Sequence, residues 1–220
     1  IQKWTCHKLE SFSEFIDSYT PATRKANYGY LELFTGYGTY LCNGLDCLLE
    51  GSALRALKSK ARFISYGFLT PSRTIANSVK PIISEHYSSK NALVLVGNPN
   101  NEKHLGRLMD SLPRSASSLA FIDPGGYRRL HWSTLEKLVT HGKNWQGDKI
   151  DLLIVFPIEM ALLRNMQRPE CEESVTRFYG NQEWEEIKRQ KRANKISSHD
   201  IKQKLVELYK NGLQNLGYRY

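Results

Sequence analysis

Apolar residues recur at helical spacing near the start of the chain: Leu9, Phe12, Phe15, Ile16 and Tyr19. Steps of three and four place them on one face, which predicts a helix over residues 4–20, closed by Pro21. The period then changes. Tyr28 to Phe34 is aromatic and aliphatic and runs into Thr35-Gly36-Tyr37-Gly38, a strand entering a tight turn. A helix over Ser52–Lys60 with Leu54 and Leu57 inward follows, then a strand over Arg62–Leu69. Pro71 sits where a helix can open, with Ile75, Val79 and Ile82 on its inner face.

The second half adds strands that read as covered on both faces. Ala92-Leu93-Val94-Leu95-Val96 is a continuous apolar run, the mark of a central parallel strand. Ser118–Asp123 and Ile150–Phe156 have the same character. Leu105–Leu112 and Trp132–Val139 between them read as helices. Residues 162–179 read as polar loop and short helix, Glu183–Lys195 as a charged helix, and Asp200–Leu213 as an amphipathic one. Strands alternating with helices imply an α/β fold with a doubly wound, mostly parallel sheet. The expected organisation is one domain over residues 1–220, with 157–198 as an insertion or cap. The chain begins at Ile1 rather than Met, and Tyr218-Arg219-Tyr220 has strand character with nothing after it to pair with. Both ends therefore read as incomplete, and the sheet as lacking its C-terminal strands.

Charge changes the picture more than composition does. Lys plus Arg outnumber Asp plus Glu by 31 to 22, a net charge of +9. The excess is spread, with 13 basic against 9 acidic residues in 1–110 and 18 against 13 in 111–220. A distributed positive field favours polyanions, nucleic acid above all. The longest apolar run, Ile150 to Ile158, falls short of the ~20 residues of a membrane-spanning helix. No membrane association is expected, and the cytoplasm is the expected compartment. Cys6, Cys42, Cys47 and Cys171 form no C-x-x-C pair, and the six histidines are scattered, so no metal site is expected. There is no G-x-S-x-G elbow for a serine nucleophile.

Ligands of an open parallel sheet bind outside the carboxyl ends of its strands, at the switch in strand order. The first strand delivers Glu32, Phe34, Thr35, Gly36, Tyr37 and Gly38 to that end. Position 41 is Leu, so the third glycine of a dinucleotide fingerprint is absent. The fourth strand ends in Asp123-Pro124-Gly125-Gly126. An Asp there can accept a hydrogen bond from an amino group or remove a proton, while Pro fixes the chain direction. Arg128, Arg129, Arg164 and Arg168, with Tyr127 and Trp132, suggest a basic aromatic rim for nucleic acid.

The chain resembles the three-Cys-motif partner protein family. The likeness rests on Trp4-Thr5-x-x-Lys8, on Tyr30-Leu31-Glu32-Leu33-Phe34-Thr35-Gly36-Tyr37-Gly38, and on Gly51-Ser52-Ala53-Leu54-x-Ala56-Leu57. It continues through Phe121-Ile122-Asp123-Pro124-Gly125-Gly126-Tyr127, then Asp151 to Pro157 with Arg164-Asn165, and Phe178-Tyr179-Gly180-x-x-x-Trp184. The resemblance implies a Rossmann-like, class I methyltransferase-type fold, S-adenosylmethionine as cofactor, and a three-Cys-motif protein as partner. It places Glu32, Phe34, Thr35, Gly36, Tyr37, Gly38, Asn98 and Asp123 around the cofactor, and gives Asp123 and Pro124 the catalytic task of holding a target nitrogen.

Two departures stand against that likeness. The cofactor ribose of such enzymes is held by an acid at the end of the second strand, whereas no Asp or Glu occurs from Gly51 to Ser84. Ser65, Tyr66 and Thr70 are the hydroxyls nearest in sequence that could compensate. After the third strand the family's Gly-Asp is replaced by Gly97-Asn98. Two functions follow as expectations: a methyltransferase acting on nucleic acid, or a degenerate relative that binds protein or nucleic acid in a defence or mobile-element system.

Overall fold

The computed structural model describes residues 3–19, 28–41, 48–61, 63–112, 117–141, 149–158 and 162–219. The chain runs α1 (Lys3–Ser18), β1 (Tyr28–Leu33), β2 (Thr39–Leu41), β3 (Leu48–Glu50), α2 (Ser52–Lys58), β4 (Phe63–Thr70), α3 (Arg73–His86), β5 (Ala92–Val96) and α4 (Glu102–Met109). It continues through β6 (Ser117–Ile122), a 3₁₀ turn at Tyr127–Arg129, α5 (Trp132–His141), β7 (Asp151–Ile154), α6 (Leu163–Asn165), a second 3₁₀ turn at Pro169–Cys171, α7 (Glu172–Tyr179), α8 (Trp184–Arg192) and α9 (Ser198–Asn215). Its residues cluster into two compact units, 1–122 with 141–153, and 123–140 with 154–220.

The first unit is built on a five-stranded parallel sheet of order β5-β4-β1-β6-β7. Sequential strands step outward from β1 to β4 and β5, then return to its other side as β6 and β7, which is the Rossmann-like arrangement. The order reverses between β1 and β6, where register sets Leu33 beside Ile122. Every residue of β6 is buried, and all of β1 after Tyr28. Phe12 and Ile16 of α1 are buried, and Phe12 packs on Phe121 with ring centroids 4.5 Å apart. Arg55 ties α2 to α1 by donating to the Ser13 hydroxyl at 2.7 Å.

Strand β5 corrects the expectation of a strand covered on both faces. It lies at the sheet edge, and only Val94 is buried, while Leu93 and Val96 are 37% and 40% exposed. Strand β7 is the opposite edge, and none of its residues is fully buried. Apolar content alone does not separate an edge strand from a central one, because strand order is set by the crossover connections. The helix expected to open at Pro71 starts at Arg73 instead. Ser72 caps it by accepting the Ile75 N–H, and Ile83 rather than Ile82 turns fully inward. The antiparallel pair β2–β3 was not expected, nor is Tyr218-Arg219 a strand, while Tyr220 lies outside the described residues.

The second unit has its own core. Leu162, Met166, Cys171, Val175, Phe178 and Tyr179 are all 2% exposed or less, so the stretch expected as polar loop and short helix does hold short helices, but carries a buried apolar stripe in place of a polar loop. Charged neighbours at 164, 168, 170, 172 and 173 masked it. Rings of Phe156, Phe178 and Tyr209 pack together, with the last two stacked at 4.8 Å. Burial pushes the Tyr209 phenol far above its ordinary value.

A buried charge sits in this unit. Lys188 is 5% exposed and donates to Glu172, with its ammonium 5.5 Å from the centre of the Trp184 ring. The hydrogen bond and charge of Lys188 hold the Glu172 carboxyl below the usual range. A depressed carboxylate contributes stability above its unfolded pKa and loses it as pH falls through the folded one. Glu172→Gln is therefore expected to lower the melting temperature at pH 7, because a buried ammonium loses its counter-charge. The gap between variant and wild type should close below about pH 4. Equal gaps at pH 7 and pH 3 in thermal melts would sink this account.

Candidate functional site

At the carboxyl end of β1 the chain turns back on itself. The Thr35 N–H donates to the Leu69 carbonyl of β4 at 2.8 Å, fixing the turn to the neighbouring strand. The left-handed step is taken by Phe34, at φ 70°, and not by a glycine. Gly36 and Gly38 matter instead because side chains pass close to their Cα atoms. A Cβ at Gly36 would overlap the Tyr40 hydroxyl, and one at Gly38 would press on Ile82 at 3.1 Å. Gly38 is buried beneath α3, so it serves packing rather than a ligand.

Glu32 lies under this turn, 2% exposed. Ser52, the first residue of α2, donates to its Oε1 at 2.7 Å, and Tyr30 donates to its Oε2 at 3.1 Å. Burial, then the nearby carboxylate, pushes the Tyr30 phenol well above its ordinary value. The Ser52 contact follows from Gly51, whose N–H donates to the Gly38 carbonyl at 2.7 Å and draws the α2 start against the turn. Thr35 is buried as well, and its hydroxyl donates to the Glu32 carbonyl at 3.3 Å. The structure thus gathers Glu32, Thr35, Gly36 and Gly38. Tyr37 stands 44% exposed beside them, with its ring edge-on to Tyr40 at 6.4 Å. Ser52, Tyr30 and Tyr40 escaped the sequence reading. Only the Gly51-Ser52 start of α2 carried a signal.

The ribose end is equally informative. β4 ends at Thr70, which is buried and accepts the Ser72 N–H at 3.3 Å, while Ser72 is spent on capping α3. Ser65 and Tyr66 lie near the start of β4, buried at 1% exposure, so they cannot replace a carboxylate at its far end. Burial raises the Tyr66 phenol to about 12. After β5, Asn98 is exposed, and its side-chain oxygen closes a turn by accepting the Asn100 N–H at 2.9 Å. Its own N–H donates to His104 Nδ1 at 3.0 Å. Among the described residues, the end of β4 offers no carboxylate, and Thr70, Ser72 and Asn98 spend side-chain oxygens on contacts within the chain, so these residues do not fit an adenosyl cofactor held through a ribose carboxylate.

The remaining candidates belong to the second unit. Asp123 is half-buried and Pro124 buried at the head of an open turn. Gly125 takes φ 64°, and a Cβ at Gly126 would meet nothing within 4 Å. The glycines do keep this stretch clear. The 3₁₀ turn that follows places Arg128 so that its Nε donates to the Tyr127 hydroxyl at 3.1 Å and its Nη2 to Cys171 Sγ at 2.8 Å. The Cys171 N–H in turn donates to the Arg168 carbonyl at 3.0 Å, which brings Arg128 beside the segment carrying Arg164 and Arg168. Arg128, Arg129, Arg164 and Arg168 are all exposed. The aromatic part of the expected rim is corrected, since Tyr127 is 1% and Trp132 9% exposed. Both rings fill the core, Tyr127 against Phe178 and Trp132 against Tyr209, and neither offers a face for stacking bases. Among the described residues no group of three or more His, Cys, Asp or Glu is placed to hold a metal ion, and no helix is long and apolar enough to cross a membrane.

Comparison of the chain with protein-family models, with curated proteins and with solved structures finds no match.

Proposed function

We propose that the chain is a class I methyltransferase-like protein of the three-Cys-motif partner type that works as a binding module rather than as a catalyst. One observation carries this reading: among the described residues the end of β4 offers no carboxylate for a ribose, while the Glu32 carboxylate at the end of β1 is buried and engaged by Ser52 and Tyr30, and the Tyr40 hydroxyl stands against Gly36. Losing a charged diol contact costs on the order of 1.5–3 kcal/mol, about 10–100-fold in affinity. The net charge of +9 and the exposed arginines of the second unit favour nucleic acid as what it binds. The partner implied by the resemblance is a three-Cys-motif protein.

A second reading, an S-adenosylmethionine-dependent methyltransferase acting on nucleic acid, draws on the strand order and on the open Asp123-Pro124 turn. In that reading Asp123 accepts hydrogen bonds from a target amino group and Pro124 fixes its direction. Titration calorimetry with S-adenosylmethionine and S-adenosylhomocysteine separates the two. The binding-module reading expects no heat up to about 1 mM ligand. Micromolar binding of either compound would overturn it and restore the catalytic reading.

A further inference from the structure

The strand at the β5 edge carries the clearest unused surface. Ala92-Leu93-Val94-Leu95-Val96 is apolar throughout, yet among the described residues it pairs on one side only, with β4. Natural edge strands are usually blunted by a charged side chain, a proline or a bulge. β5 has none of these, and its register with β4 runs without a shift. The opposite edge differs, since β7 opens on Asp151, which accepts from the Tyr19 hydroxyl at 2.7 Å.

The main chain of β5 can be assigned residue by residue. The Asn91 carbonyl accepts the Tyr66 N–H at 2.8 Å, and the Gly97 N–H donates to the Thr70 carbonyl at 2.9 Å. Both residues turn their backbone groups toward β4. Alternation along a strand makes Leu93 and Leu95 do the same. Ala92, Val94 and Val96 therefore point their N–H and C=O groups to the open side.

We infer that β5 pairs antiparallel with β5 of a second copy about a two-fold axis through Val94. That register sets Val94 opposite Val94 of the other copy, and Ala92 opposite Val96 on either side of it. All three outward residues then meet outward residues, each pair exchanging both main-chain bonds. Leu93 faces Leu95 in the closer non-hydrogen-bonded pairs. Beyond the strand, Asn91 falls opposite Gly97 and Lys90 opposite Asn98, so no like charges meet. A two-fold contact of this kind is self-complementary, and it covers the half-exposed Leu93 and Val96. A second copy is favoured over a foreign strand because the sequence satisfies its own edge in one register. Five residues make a short ladder, well below the roughly 800 Å² per partner of a standard interface, so the dimer is a weak and reversible one.

Sedimentation equilibrium of the full chain tests this over about 1–200 µM. The wild type should pass from monomer to dimer across that range. Val96→Pro removes an outward N–H that β4 does not use, and Leu93→Lys places a charge in an apolar cross-strand pair. Each should weaken self-association at least about tenfold while leaving the melting temperature of the dilute monomer nearly unchanged. If one variant misfolds, the other decides. A wild type that stays monomeric overturns the proposal, as does a dimer indifferent to both changes. A monomer that instead takes up an extended apolar peptide along this edge also overturns it, in favour of a strand from another protein.

Discussion

Alanine at Gly180 is expected to cost about 2–5 kcal/mol and to lower the melting temperature by about 5–15 °C. Two causes add. Gly180 ends α7 at φ 74°, a left-handed conformation that penalises any Cβ, while its N–H donates to the Thr176 carbonyl at 2.7 Å. The Cβ would also overlap the Trp132 indole. That ring cannot retreat. Gly212 lies so near its far edge that a Cβ there would stand 2.7 Å away, and Tyr209 meets it edge-on at 5.2 Å. Two glycines and one tyrosine thus hold Trp132 in the second core. Gly106→Ala is the opposite case. It sits inside α4 with nothing within 4 Å of a Cβ, so alanine should add about 0.5–1 kcal/mol by reducing the freedom of the unfolded chain. Thermal unfolding of the two variants should therefore move in opposite directions, and shifts of the same sign would defeat the packing argument.

The same contrast explains what was legible from sequence. Helices α1 and α9 and the strands β1 and β6 announce themselves, because amphipathic spacing and wholly apolar runs reflect local geometry. The βαβ rhythm then fixes the fold class. Strand order does not travel with the local pattern, which is why β5 read as central. The apolar stripe from Leu162 to Tyr179 was hidden because each inward residue stands among charged ones that face solvent. At the candidate site, the grouping of Glu32, Thr35, Gly36 and Gly38 could be read in advance, since a glycine turn after a strand is a sequence signal. What Glu32 touches was not, because Ser52 reaches it across twenty positions through the close approach of Gly51 to Gly38. Tyr127 and Trp132 misled for a related reason: an aromatic ring beside arginines reads as a stacking platform, while burial turned both rings inward.

If the arginines of the second unit grip nucleic acid, their removal should show in the salt dependence before anything else. Replacing Arg129, Arg164 and Arg168 together with glutamine leaves Arg128 on its Tyr127 and Cys171 contacts. Each phosphate contact contributes a slope of about −0.9 in log affinity against log salt on duplex DNA, and about −0.7 on single strands. Three lost contacts should flatten the slope by roughly 2–3 and weaken binding on the order of 100-fold near 0.1 M salt. The loss should be similar on unrelated sequences, because guanidinium groups on phosphates position a partner without reading bases. Without exposed Tyr127 or Trp132, single strands lose the stacking advantage of about 1–3 kcal/mol per base that an aromatic platform supplies. Duplex should then bind at least as well as single strands at equal salt. Fluorescence anisotropy with labelled duplex and single-stranded oligonucleotides measures both quantities. An unchanged slope in the triple variant would remove these arginines from the interface, and the basic charge of the chain would then have to act through some other surface.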